Sequence, residues 1–220
     1  MLLLTAATDF EMAAFVRACP VSQGIVTLVT GVGPVETAVR LSAFLATAAT
    51  PPTAVVNFGV AGAYVVDGKA HATMLDICLA EREVLADLGI CVQDEVHQLR
   101  GGAFELLECI ELDATLLGQA SRRLAVAQIP HTIGVFATVS CVSGTQKRGE
   151  MIARQHRAIC ENMEGFAAAR ACRHFGVPLL ELRCISNLVE DRNHQNWQLS
   201  KACNRCGEVA ALIVNGLRDA

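Results

Sequence analysis

No stretch among the 220 residues stays apolar for the ~18 positions that a membrane-spanning helix needs. Basic charge is not in surplus either. Eighteen Lys and Arg against 22 Asp and Glu leave a formal net charge of −4, without the electrostatic footprint that a nucleic acid polymer requires. Charged residues make up only 18% of the chain, and no repeat, low-complexity tract or charged linker divides it, which excludes a disordered or modular array. The opening Leu2-Leu3-Leu4-Thr5-Ala6-Ala7 run lacks the preceding positive charge of an export signal and meets Asp9 and Glu11 at once. It reads as a first buried strand, and the chain as a cytoplasmic protein. The ten cysteines are then reduced thiols serving as small apolar residues. One close pair, Cys203-Asn204-Arg205-Cys206, has no second pair or histidine cluster at zinc-finger spacing. A structural role is the reading for that pair, with metal binding the weaker alternative.

What the chain has is apolar mass: 52% hydrophobic residues. A globule of this length buries roughly 70% of its unfolded surface and needs no disulfide staples. The expectation is one domain over residues 1–220 with a large core, extended by a subunit interface. Apolar runs of strand length recur at Leu2 to Ala7, Gly24 to Thr30, Ala54 to Phe58, Ala72 to Ala80, Ile133 to Val139 and Leu179 to Ser186. Such near-continuous runs suit strands covered on both faces. Helical patterns lie between them, at Pro34 to Ala48, Asp113 to Gln128, Asn162 to Phe175 and Ser200 to Leu217. Pro34 suits a first helical turn, and Gly176-Val177-Pro178 a helix stop. Alternating strands and helices predict an α/β fold, a three-layer sandwich with a central mixed twisted sheet.

Polar or glycine-rich clusters follow the expected strands: Glu11 after the first, Gly31-Val32-Gly33 after the second, Gly59-Val60-Ala61-Gly62 after the third and Asn187 after the last. Ligands of open α/β sheets bind beyond the carboxyl ends of strands, so these clusters are expected to share one crevice. Each has a plainer reading. Gly59 to Gly62 suits a tight turn as well as a close ligand approach. Asn162 and Glu164 suit the N-cap and first turn of a helix; alternatively, the Glu164 carboxylate accepts hydrogen bonds from a diol. Asn187 suits a local turn or a base edge carrying a carbonyl and an adjacent nitrogen. Gly31-Val32-Gly33-Pro34 lacks both the third glycine of a dinucleotide fingerprint and the Gly-Lys-Ser/Thr of a P-loop.

In order along the chain, Asp9-Phe10-Glu11, Gly31-Val32-Gly33, Asn57 to Gly62, Asn162-Met163-Glu164 and Arg183-Cys184-Ile185-Ser186-Asn187 resemble the purine nucleoside phosphorylase and nucleosidase superfamily, in particular its methylthioadenosine/S-adenosylhomocysteine nucleosidase branch. The resemblance implies that Glu11 activates the attacking water, that Glu164 grips the ribose diol, and that Met163 packs beside the sugar. It places backbone of Val60, Ala61 and Gly62 near base and sugar, and main chain of Val142 on the base. Where the branch has an aromatic before that position, this chain has Cys141. Asn187 stands where adenine-cleaving nucleosidases have aspartate. Asparagine cannot donate a proton as an acid, but its NH2 can meet the carbonyl of a 6-oxopurine, which favours hypoxanthine over adenine as the leaving base.

Ser186 to Arg192 followed by Trp197, together with Ala86-Asp87-Leu88-Gly89, are similar to the futalosine hydrolase family. That likeness implies hydrolysis of a small-molecule nucleoside without metal or organic cofactor, in a homo-oligomer that is at least a dimer. Phosphorolysis, adenine-specific hydrolysis and non-catalytic nucleoside binding are the competing readings. Arg148, Arg192 and His194 could supply positive charge to an anionic distal substituent, but a solvated surface position is the preferred reading for each.

Overall fold

A computed structural model of the protein describes residues 1–19, 24–92, 95–97, 99, 106–190 and 196–218. The opening apolar run forms strand β1 (Leu2–Ala6), buried along its length. Its alternate residues face opposite ways: Leu2, Leu4 and Ala6 join one core cluster and Leu3 another. The division recurs in β3 (Ala54–Val66), between Val56 and Val55, and in β11 (Leu179–Val189), between Leu180 and Leu179. An apolar run without polar alternation is thus a strand covered on both faces. Helices α1 (Asp9–Ala18), α3 (Ala114–Val126) and α6 (Leu199–Arg218) pack into the first cluster; α2 (Pro34–Thr47) and α5 (Gly165–Phe175) pack into the second. The result is the expected three-layer α/β sandwich.

The sheet is mixed. Strands β2 (Ile25–Val29), β5 (Ile77–Leu85), β9 (His131–Thr138) and β10 (Ala158–Asn162) complete the order β10-β9-β5-β11-β3-β1-β2. Short strands β4 (Lys69–Ala70) and β8 (Cys109–Glu111) pair with β3 and β5, and β6 (Ile90–Val92) and β7 (Glu95–His97) form a separate hairpin. β1 runs parallel to β2 and β3, whereas β11 is parallel to β3 and antiparallel to β5. β10 also pairs antiparallel with β3, through Cys160↔Ala63 and Glu161↔Gly62. Strands β3, β11, β5, β9 and β10 therefore close into a ring, and the crevice lies at that closure.

Several expected boundaries shift. Ala54 to Phe58 continues as strand to Val66, so Gly59 to Gly62 is no turn; it bridges the parallel sheet and the antiparallel closure. Asn187 likewise lies inside β11, at a register shift between Ile185 and Asn187. The strand expected at Ala72 to Ala80 is found at Ile77–Leu85. The helix expected from Asn162 begins at Gly165, because residues up to Asn162 pair with β9. Glu11 belongs to a helix that the apolar periodicity does not reveal. Its entry is nevertheless written in Thr8 and Glu11, which form a capping box. Helix α4 (Gln146–His156) is likewise hidden from the apolar periodicity: among its mostly polar residues only Gly149, Ile152 and Ala153 are buried, too few to show a period.

Candidate active site

Glu11 sits at the third position of α1, which faces it back over the end of β1. Its Oε2 accepts hydrogen bonds from the Thr8 amide (3.1 Å) and the Thr8 hydroxyl (2.8 Å). Its Oε1 accepts from the Val60 amide at 3.2 Å. The carboxylate is thus clamped between a helix N-terminus and the midpoint of β3. Burial pushes its pKa up from 4.5, and Arg183 and Thr8 oppose that rise. Gly59 makes the packing possible. A Cβ there would lie 2.6 Å from both Glu11 Oε1 and Arg183 Nη1.

Glu164 is the N-cap residue of α5, yet its side chain makes no capping bond. Asn162 does that work: its Oδ1 accepts from the amides of Glu164 (2.9 Å) and Gly165 (2.7 Å). The Glu164 carboxylate is free to turn inward, where Oε1 accepts from the Gly33 amide at 3.1 Å and Oε2 from Arg183 Nη1 at 3.4 Å. Gly33 presents that amide from a left-handed backbone, φ 92°, which favours glycine.

Arg183 is 1% exposed and carries no role in the sequence reading. It donates to Glu181 Oε1 through Nε (3.0 Å), with Nη2 2.9 Å from the same oxygen. Behind it, Glu83 accepts from the Thr138 hydroxyl (2.7 Å) and Asn162 Nδ2 (2.7 Å). A Cβ on Gly165 would collide with the carboxyls of both Glu83 and Glu181. Burial, reinforced by the neighbouring Glu181, raises the Glu83 pKa well above the usual range, which favours its neutral form. Arg183 holds Glu181 closer to ordinary behaviour, although burial still dominates and raises it. One guanidinium thus holds the cavity carboxylate of Glu164 directly and acts on that of Glu11 through its charge, and its own support is the fully buried Glu181. The Glu181-x-Arg183 spacing, two charges on one face of an apolar strand, was the signal available in the sequence.

Asn187 is half-buried. Its Oδ1 accepts from the Ser186 hydroxyl at 2.9 Å, and one N–H of Nδ2 donates to the Leu188 carbonyl at 3.2 Å. Gly62 lies in register with Asn187 on one side and Glu161 on the other. Glu161 accepts two bonds from Ser143, from its amide (2.9 Å) and its hydroxyl (2.7 Å), which steadies the Val142-Ser143 segment. Asp87 steadies the residues just before it, accepting from the amides of Ser140 (2.6 Å) and Cys141 (3.2 Å).

Glu11, Val60, Ala61, Gly62, Val142, Met163, Glu164 and Asn187 all line a single cavity of about 440 Å³, a volume in the range of small-molecule sites. Phe10, Val32 and Trp197 complete its apolar wall. No lysine or arginine is among the described residues that line it. Arg148 is turned elsewhere: Nη2 donates to the Cys141 carbonyl (3.0 Å) and lies 3.9 Å from Asp87. Arg192 and His194 lie outside the described residues. Cys203 borders the cavity and Cys206 is buried beside it on α6; burial pushes the Cys203 thiol up to about 12 and the Cys206 thiol well up.

The family model described as the phosphorylase superfamily matches residues 13–217. Futalosine hydrolase of Thermus thermophilus is 35% identical over 184 residues, covering 81% of this chain and 76% of the relative. Futalosine hydrolase of Streptomyces coelicolor is 31% identical over 179 residues, covering 80% and 72%. The chain belongs to the phosphorylase superfamily and, within it, to the futalosine hydrolase family. The native structure of futalosine hydrolase from Helicobacter pylori superposes with a TM-score of 0.83 over 97% of both chains at 20% identity, which shows the shared fold.

Proposed function

We propose that this chain is an N-glycosyl hydrolase that splits futalosine into hypoxanthine and dehypoxanthine futalosine, a step of menaquinone biosynthesis carried out in the cytoplasm. The observation that carries the reading is the convergence of Glu11, Glu164 and Asn187, from three distant parts of the chain, on one cavity. Glu11 holds a water against the anomeric carbon and takes its proton as the C1′–O bond forms. Glu164 binds the ribose diol, and its charge favours the cationic sugar of the transition state. The C1′–N9 bond breaks and its electron pair leaves with the base. Asn187 steadies that base by hydrogen bonding, and the base takes its proton from solvent. Met163 packs beside the sugar, and the backbone of Val60, Ala61, Gly62 and Val142 borders sugar and base. These steps call on no metal or organic cofactor.

Water, not phosphate, is the nucleophile supported by the cavity's charge. Its described lining contains Glu11, Glu161 and Glu164 and no cation, whereas a phosphate nucleophile calls for arginine or lysine. Incubation of purified protein with futalosine in phosphate-free buffer tests this: free hypoxanthine is the expected product, and turnover that requires added phosphate overturns the hydrolytic reading. We further propose that residues 1–220 act as one catalytic unit and assemble as a homo-oligomer. The exposed Phe10, Val32, Val35 and Val39 support assembly, because Phe10 and Val32 also stand at the cavity wall.

A further inference from the structure

Glu161 is a third carboxylate in the cavity wall, and the mechanism above gives it no task. It is 5% exposed and lines the same cavity as Asn187. Both residues are in register with Gly62, Glu161 from β10 and Asn187 from β11. At the usual inter-strand spacing their backbones stand roughly 10 Å apart across that glycine. The side chains lean toward the same place: a Cβ on Gly62 would lie 3.1 Å from Asn187 Nδ2 and 3.6 Å from Glu161 Cγ. Val189 Cγ2, at 3.0 Å, closes the same place from a third direction, so Gly62 is bordered by the Asn187 carboxamide, the Glu161 side chain and a valine methyl.

Their hydrogen-bond inventories leave complementary groups over. Among the described residues, Asn187 Nδ2 spends one N–H on the Leu188 carbonyl and keeps the second. Each Glu161 oxygen accepts one bond from Ser143; with the buried Tyr64 hydroxyl also standing against the carboxylate, its about four lone-pair sites still leave one over. A 6-oxopurine carries acceptors at O6 and N7 and a donor at N1–H. Adenine presents a lone pair at N1 instead.

We propose that Glu161 is a specificity-determining residue that accepts the N1–H of a 6-oxopurine base while Asn187 donates to its O6 and N7 side. This rests on the nucleosidase reading above and deepens it. Asparagine alone selects weakly, since its remaining N–H can meet N7, an acceptor that 6-oxopurines and adenine share. Burial raises the Glu161 pKa, and the two Ser143 bonds, Tyr64 and Arg148 oppose that rise; in its ionised form the braced carboxylate only accepts, so it is the group that rejects a base with a lone pair at N1. An ionised acceptor buried beside an unpaired acceptor is the costly arrangement that makes such a site discriminate.

The plainer role for Glu161 is a brace for the Val142-Ser143 segment, and two variants separate the roles. In Glu161→Gln the amide carbonyl still accepts from the Ser143 amide, and the NH2 can donate to the Ser143 hydroxyl, so the brace survives while an acceptor facing the base is lost. Ser143→Ala weakens the brace and leaves the carboxylate. With kcat/KM measured for futalosine and for its 6-amino analogue, Glu161→Gln is expected to lose ~10–100-fold on futalosine, the scale of one charge-assisted hydrogen bond, and to change much less on the analogue. Ser143→Ala is expected to affect both substrates alike. Equal losses on both substrates with Glu161→Gln, or no loss, overturn the proposal. Calorimetric titration with free hypoxanthine and free adenine keeps it testable apart from turnover. Wild type should prefer hypoxanthine and Glu161→Gln should lose that preference; an unchanged preference refutes the role of Glu161. Absence of turnover by the wild type would instead refute the hydrolase reading.

Discussion

Glu11 must be ionised to take a proton from water, and its burial works against ionisation. Loss of hydration raises its pKa above the ordinary 4.5, while Arg183, the Thr8 hydroxyl and the Val60 amide restrain the rise. The acid limb of kcat/KM is therefore expected to have its midpoint above that of an exposed glutamate; a limb at or below 4.5 would show that another group sets it. Gly59 carries a steric prediction. Gly59→Ala inserts a methyl 2.6 Å from the facing atoms of Glu11 and Arg183, so the two charges must separate. We expect a stability loss of ~1–3 kcal/mol, the usual scale of overpacking, with at least a comparable loss in kcat, measured by thermal melts and initial rates. At the leaving-group side, Asn187→Asp restores a potential acid. The ratio of kcat/KM for the 6-amino analogue over futalosine should rise, and an unchanged ratio would remove residue 187 from base selection.

Elements differ in how openly the sequence declares them. The buried strands β1, β3 and β11 were legible because uninterrupted Leu, Val and Ile leave little besides a strand covered on both faces. Glu11, Glu164 and Asn187 were legible through the polar residues that interrupt those patterns. The closure of β10 onto β3 was not, since Ala158–Asn162 is short and its pairing with Gly62 depends on residues a hundred positions away. That pairing is what brings Glu161 beside Asn187. The support behind the site was equally hidden: Glu83, Glu181 and Arg183 are ordinary surface residue types, and only the tertiary fold buries them together. Glu83 yields a test at this scale. Burial and Glu181 push its folded-state pKa well above 4.5, so the folded chain is expected to hold that proton to higher pH than the unfolded chain does. The stability linked to that proton is complete below the unfolded pKa, about 4.3, and is lost as pH rises toward the folded value. Glu83→Gln lacks this dependence. Its melting temperature should therefore gain on wild type as pH is raised from ~5 to ~8, and parallel curves would contradict protonation of Glu83.

Across the whole molecule the sandwich presents one face where apolar groups meet solvent near the site. Val35 is 72% and Val39 63% exposed on α2, close in sequence to the cavity-lining Val32. Such a patch is the kind of surface that subunits cover, and the double variant Val35→Asp/Val39→Asp should run as a smaller species than wild type in light-scattering chromatography. A monomeric wild type would contradict the assembly. Among the described residues no helix is long and apolar enough to cross a membrane. The claim on which the rest depends is that the clamped Glu11 carboxylate drives water onto the sugar carbon. Its most direct test is hypoxanthine release from futalosine, without phosphate, by wild type and by Glu11→Gln. The carboxamide keeps the shape of the site and can no longer take the proton, so kcat should fall ~10²–10⁴-fold while futalosine still binds. Equal rates from the two proteins would contradict the mechanism.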